Sequence, residues 1–182
     1  MRSIAQELDL INADKPDSQD ICFVPDGDYA GFIRRYTGKE YPQGAFVDSR
    51  GNVLGSHKGI ICYTIGQRKG LGVALGEPMY VSGKDLERNT VTLSRESELY
   101  TVALVAGDFN WISVAEAPRE PLGVMAQTRY HGAESAAKVY GLPDGKVRVE
   151  FEKPQRAPAA GQAVVLYDGD VVVGGGTILS TE

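Results

Sequence analysis

Apolar and polar positions change period twice along the 182-residue chain. At the start, Ile4, Leu8 and Ile11 recur at steps of four and three, with Ser3 placed to cap. That spacing predicts a short helix over residues 3–11. A polar stretch from Asn12 to Gln19 follows, where Pro16 pushes the residue before it out of the α region. Ile21-Cys22-Phe23-Val24 is a four-residue apolar run closed by Pro25-Asp26-Gly27, which predicts a short strand or a buried turn. Asp28 is a good N-cap for a helix over Tyr29–Tyr36.

From Gly44 the texture turns to β. Ala45–Asp48, Ser49–Asn52 and Val53–Gly55 read as strand, turn and strand. The β-branched run Ile60–Thr64 predicts another strand, and Met79–Gly83 with Thr90–Leu93 predict a hairpin. After a boundary at Glu96–Leu99, six short strands are predicted: Tyr100–Val105, Leu122–Tyr130, Ala136–Tyr140, Lys146–Phe151, Ala163–Tyr167 and Val171–Val173. Turn signals such as Pro143-Asp144-Gly145 and Asp168-Gly169 separate them. The expected fold is mainly β: a short N-terminal helix within residues 1–28, a small central α+β domain over 29–95, and a six-stranded β-barrel-like C-terminal domain over 96–182.

Composition narrows the function classes. With 42% hydrophobic and 24% charged residues the chain can bury a core, which excludes global disorder. No apolar run reaches the roughly 18 residues of a membrane span, and the N-terminus lacks a secretory h-region. Two cysteines make no disulfide framework and no Cys/His cluster has zinc spacing, so a reducing cytoplasm is expected. The net charge of −5 is unevenly spread: residues 1–28 carry −5, residues 29–95 carry +5 and residues 96–182 carry −5. A basic middle between acidic flanks points to an anionic partner there, or to ordinary fluctuation in small segments.

Six places can be weighed for chemistry. Cys22 lies among Asp17, Asp20, Asp26 and Asp28, which would raise a thiol pKa; locally it reads as a small buried hydrophobe. Cys62, between Ile61 and Tyr63, reads the same way more strongly. Gly66-Gln67-Arg68-Lys69-Gly70-Leu71-Gly72 offers a close backbone approach and two cations to phosphate, or is a solvated turn. Its spacing is neither that of a Walker A loop nor that of a Rossmann turn. Arg129-Tyr130, at a predicted strand end, suits phosphate contact with base stacking, or plain surface. Gln162 follows Gly161 in a turn, where its amide reads a base edge or caps the loop. Gly174-Gly175-Gly176 reads as close backbone packing. No Gly-x-Ser-x-Gly elbow occurs.

Taken in order, Lys15–Phe23, Tyr63–Gly72, Thr128-Arg129-Tyr130, Pro158–Val164, Tyr167-Asp168-Gly169 and Gly174–Gly176 resemble the C-terminal half of the tRNA-specific 2-thiouridylase family, MnmA or TrmU, over essentially the whole chain. The resemblance implies an enzyme with a PP-loop ATP-pyrophosphatase domain, a central domain and a C-terminal β-barrel. This sequence has no Ser-Gly-Gly-x-Asp-Ser loop and no first catalytic cysteine, so residues 1–28 are expected to be the remnant of a catalytic domain. The implied reaction uses ATP to adenylate the wobble uridine and a persulfide sulfur to form 2-thiouridine. Cys22 matches the cysteine that carries the persulfide, and would pair as a disulfide with the cysteine absent here. Arg129, Tyr130 and Gln162 match positions that touch tRNA; Arg68 and Lys69 are expected to add phosphate contacts. Implied partners are tRNA and a sulfur-relay protein or cysteine desulfurase. The alternative is a tRNA-binding or relay-docking module with no catalysis of its own.

Overall fold

The computed structural model describes residues 2–9, 21, 23–24, 26–130 and 132–182. Cys22, and with it the expectation of a strand or buried turn around it, lies outside the described residues. The chain divides into two compact units, Met1–Tyr41 and Pro42–Glu182.

The first unit holds two helices, α1 (Arg2–Glu7) and α2 (Tyr29–Thr37). Asp28 caps α2 as its sequence position predicts: its Oδ1 accepts the Gly31 N–H at 2.9 Å. The i, i+4 spacing stacks Phe32 on Tyr36 at 5.9 Å between ring centroids, and Phe23 adds to the ladder at 5.2 Å from Phe32.

The second unit begins with a four-stranded sheet in the order β2-β1-β4-β3. β1 (Gly44–Val47) and β2 (Val53–His57) form an antiparallel hairpin; so do β3 (Tyr80–Asp85) and β4 (Thr90–Ser94). A parallel β1–β4 pairing joins the two hairpins. Asp48 closes the first turn. Its Oδ1 accepts the N–H groups of Arg50 and Asn52, and the Asn52 side-chain and backbone hydrogen bonds hold its carboxyl below the ordinary range. Phe46, Val81, Val91 and Leu93 are fully buried.

The strand expected over Ile60–Thr64 is not one. Ile60–Cys62 is a turn of 3₁₀-helix. Gly59 enters it at φ 128°, ψ 134°, a conformation essentially confined to glycine, and bends the chain. Three residues per turn then bury both Ile60 and Tyr63 and leave Cys62 exposed, which overturns the expectation of a buried thiol. His57 is buried against Phe46 and Tyr63 with edge-on ring contacts. Its Nδ1 accepts the Gly59 N–H at 3.1 Å, so Nε2 carries the proton and donates to the Asn89 carbonyl at 3.1 Å. This histidine is a strut of the sheet.

The six strands expected after Leu99 all form. They are β5 (Tyr100–Trp111), β6 (Leu122–Gln127), β7 (Ser135–Gly141), β8 (Val147–Arg156), β9 (Ala163–Asp168) and β10 (Val171–Thr181). They close an antiparallel barrel in the order β10-β5-β8-β7-β6-β9. Period-two alternation fills it: Val124 and Ala126, Val139, Val147 and Val149, Val164 and Leu166 point inward. β10 runs through the glycine triplet. A Cβ on Gly176 would lie 2.6 Å from the Phe109 ring and 2.7 Å from the Gly107 carbonyl, so the triplet is where two backbones meet. Arg148 ties β8 to the chain end with two 2.8 Å bonds to the Glu182 carboxylate, and also binds Glu150.

Candidate nucleic-acid interface

Strand alternation builds the site. On β9, Val164 and Leu166 fill the barrel, so Ala163, Val165 and Tyr167 face outward. On β6, Ala126 points in and Gln127 out, and Gln127 pairs across the ladder with Val165. The chain leaves β6 as Thr128-Arg129-Tyr130 and enters β9 from Gln162, which places those residues at the same end of the barrel. Thr64 and Ile65, at the mouth of the glycine-rich loop, complete a cleft of about 700 Å³. Arg129, Tyr130 and Gln162, read from the sequence as separate candidates, thus share one cavity.

The glycine-rich loop reaches the barrel because Gln67 shapes it. Its Oε1 accepts the Thr64 N–H at 3.0 Å and its Nε2 donates to the Lys69 carbonyl at 2.9 Å. Two backbone bonds, Gly66 N–H to Val81 and Val81 N–H to Gln67, tie it to β3. Gly66 sits at φ 85°, and a Cβ there would stand 3.6 Å from Arg129 Nη2 and 3.7 Å from Arg156 Nη1. Two guanidinium groups therefore flank this glycine.

Each is held. Arg129 Nη2 donates to the Ala157 carbonyl at 2.6 Å. Ala157 is buried at φ 51°, and its N–H donates to Leu99 at 2.7 Å. Arg156 Nε donates to Glu96 at 3.1 Å, and its guanidinium lies 5.4 Å from the Tyr80 ring centroid. Tyr130 is 90% exposed. Gln162 Oε1 accepts the Ala159 N–H at 3.2 Å, which fixes its amide orientation and leaves Nε2 as a donor.

The other candidates lie elsewhere. Arg68 lines a separate hollow of about 230 Å³ with Gly70, Leu75 and Glu77, and the exposed Lys69 lines neither cavity. Of the cleft residues, Gln127 was not singled out in the sequence, and Ile65 and Tyr167 stood within quoted motifs without a role of their own. Val164–Tyr167 is one apolar run, so which of its residues face out is legible only once register is known. Among the described residues lining the cleft there is no carboxylate, cysteine or histidine. It has a cation, aromatic rings, amides and hydroxyls.

A family model described as a tRNA methyl transferase PRC-barrel domain matches residues 30–95, and one described as an aminomethyltransferase beta-barrel domain matches residues 101–178. A tRNA-specific 2-thiouridylase MnmA from Acetivibrio thermocellus is 57% identical over 98% of this chain and 49% of its own length. The chain matches the C-terminal portion of the MnmA family. MnmA proteins from Lachnoclostridium phytofermentans and Clostridioides difficile are 49% and 46% identical, again over 98% of the chain and 50% and 49% of their own lengths. The chain thus spans about half the length of these MnmA relatives. Among the described residues, no helix is long and apolar enough to cross a membrane.

Proposed function

We propose that this chain is the tRNA-holding, sulfur-carrying portion of an enzyme that 2-thiolates the wobble uridine of tRNA. The observation that carries the reading is the gathering of Arg129, Tyr130 and Gln162 in one cleft of a chain matched along 98% of its length by MnmA relatives. Arg129 supplies charge for an RNA phosphate, Tyr130 a stacking surface and Gln162 an amide donor. Arg68 and Lys69 extend the contact to phosphates farther along the RNA.

In the proposed reaction ATP, bound by a part of the enzyme beyond these residues, adenylates the C2 oxygen of uridine and releases pyrophosphate. The terminal sulfur of a Cys22 persulfide attacks C2 and the C2–O bond breaks, expelling AMP. A second cysteine outside this chain attacks the remaining Cys22 sulfur, breaking the S–S bond to the transferred sulfur and forming a disulfide. A sulfur-relay protein or cysteine desulfurase recharges Cys22. A thiolate or persulfide is a strong, soft nucleophile and the adenylate oxygen a good leaving group. The reaction belongs in a reducing cytoplasm, where the disulfide is returned to thiols.

The test is reconstitution with the full-length protein, ATP, a persulfide donor and a tRNA transcript. Thiolation is expected with wild type and absent with Cys22→Ser. Full activity in the serine variant removes Cys22 as the sulfur carrier and leaves an RNA-docking module, for which Arg129→Ala still weakens tRNA binding.

A further inference from the structure

Outward positions of a barrel strand normally meet water, but at the β6–β9 edge they are Val165 and Tyr167, both half-buried. With Ile65 they give the cleft an apolar wall. Two amides stand beside that wall with opposite ends free. Gln127 Nε2 donates to Gly132 at 2.8 Å and to Tyr130 at 3.4 Å, so its nitrogen is fixed by two carbonyls and its Oε1 has no partner among the described residues. Gln162 is the reverse, with Oε1 engaged by the Ala159 N–H and Nε2 left as a donor. One acceptor, one donor, a flat apolar wall and a neighbouring guanidinium define the ligand chemistry. It is a planar ring with a mixed hydrogen-bonding edge, attached to an anionic backbone. About 700 Å³ is ample for one such ring with its sugar, within the roughly 300–1,000 Å³ of small-molecule sites.

We infer that this cleft receives one unpaired nucleobase of the bound RNA. Its ring lies on Ile65, Val165 and Tyr167, its edge meets the Gln127 and Gln162 amides, and Arg129 holds an adjoining phosphate. The inference rests on the tRNA reading above and goes further, because a duplex lying across Arg129 and Tyr130 would need no cleft behind them.

The experiment uses the full-length protein and two probes, an in vitro tRNA transcript and a blunt RNA duplex of equal length. Tyr167→Ala and the cleft-filling Val165→Trp are each expected to weaken transcript binding about 5- to 140-fold, the range for losing one base–aromatic stack. Duplex binding is expected to stay within about twofold. A transcript carrying 5-bromouridine is expected to photo-cross-link to the peptide holding Tyr167, which decides the matter even if Val165→Trp does not fold. Cross-links only at other peptides, with Tyr167→Ala binding as wild type, overturn the base site; if Arg129→Ala still weakens transcript binding, the tRNA reading stands. Arg129→Ala without effect on transcript binding removes the tRNA reading and the base site with it.

Discussion

Arg129 is held by one hydrogen bond to a strained carbonyl, and that is enough to aim it. Ala157 sits in the left-handed region and is buried, so the carbonyl that accepts from Arg129 has little freedom to move. Gly66 fills the remaining space with hydrogens only. Gly66→Ala is therefore expected to cost about 1–2 kcal/mol in backbone strain, read as a lower melting temperature. The new methyl would meet Arg129 only in ordinary van der Waals contact, so any loss of tRNA affinity would come from a shift of the strained loop backbone. Normal affinity in a destabilised Gly66→Ala variant would separate the loop from the RNA site. At this scale the sequence was partly legible. Arg129, Tyr130 and Gln162 were found through their motifs. Gln127 was not and Tyr167 had no role of its own there, because it is the face they occupy, not their neighbours in sequence, that puts them in the same cleft. Cys62 was misread because its apolar neighbours pack at a spacing of three, Ile60 with Tyr63, and turn the thiol outward.

The elements were more legible than the residues wherever alternation and turn chemistry agreed. The Ser49–Asn52 turn marked the first hairpin, which Asp48 and Asn52 hold together, and all six barrel strands begin within one residue of where the pattern placed them. The failure at Ile60–Cys62 came from Gly59, whose φ no propensity of its β-branched neighbours could report. β10 runs to Thr181, well past the predicted end at Val173, because the glycines that look like a break are the residues that let it lie against β5 and β9. That gives a paired test. Gly176→Ala drives a methyl into Phe109 and the Gly107 carbonyl and is expected to destabilise by about 1–3 kcal/mol, as overpacking does. Gly123→Ala, on β6 with no atom within 4 Å of the new methyl, is expected to stay within about 0.5 kcal/mol. Equal melting temperatures for the two variants would mean the triplet is not a packing device.

Across the second unit, four carboxylates are held below their ordinary range by hydrogen bonds. Asn52 does this for Asp48, Lys146 for Asp144, and Arg148 for Glu150 and Glu182. Depressed folded-state values stabilise the protein above the unfolded range of 3.8 to 4.5, and that stability is lost as pH falls through the lower folded values. The melting temperature is expected to be flat from neutral pH to about 5 and to fall below about 4.5. Glu182→Gln should lower the plateau and shallow the acid limb. A melting temperature independent of pH down to 3 would show that these carboxylates contribute nothing. The charge pattern along the chain has its counterpart at this scale. The Gly66 loop of the basic middle segment meets Arg129 and Arg156 of the acidic C-terminal segment, so a barrel-bearing segment of net charge −5 still presents cations at one end.

The most direct measurement is tRNA affinity of the full-length protein as a function of salt, wild type against Arg129→Ala. If the cleft holds the RNA, the variant loses about 1–3 kcal/mol and its log–log salt slope falls by about one. The same affinity and slope in both proteins would contradict the account.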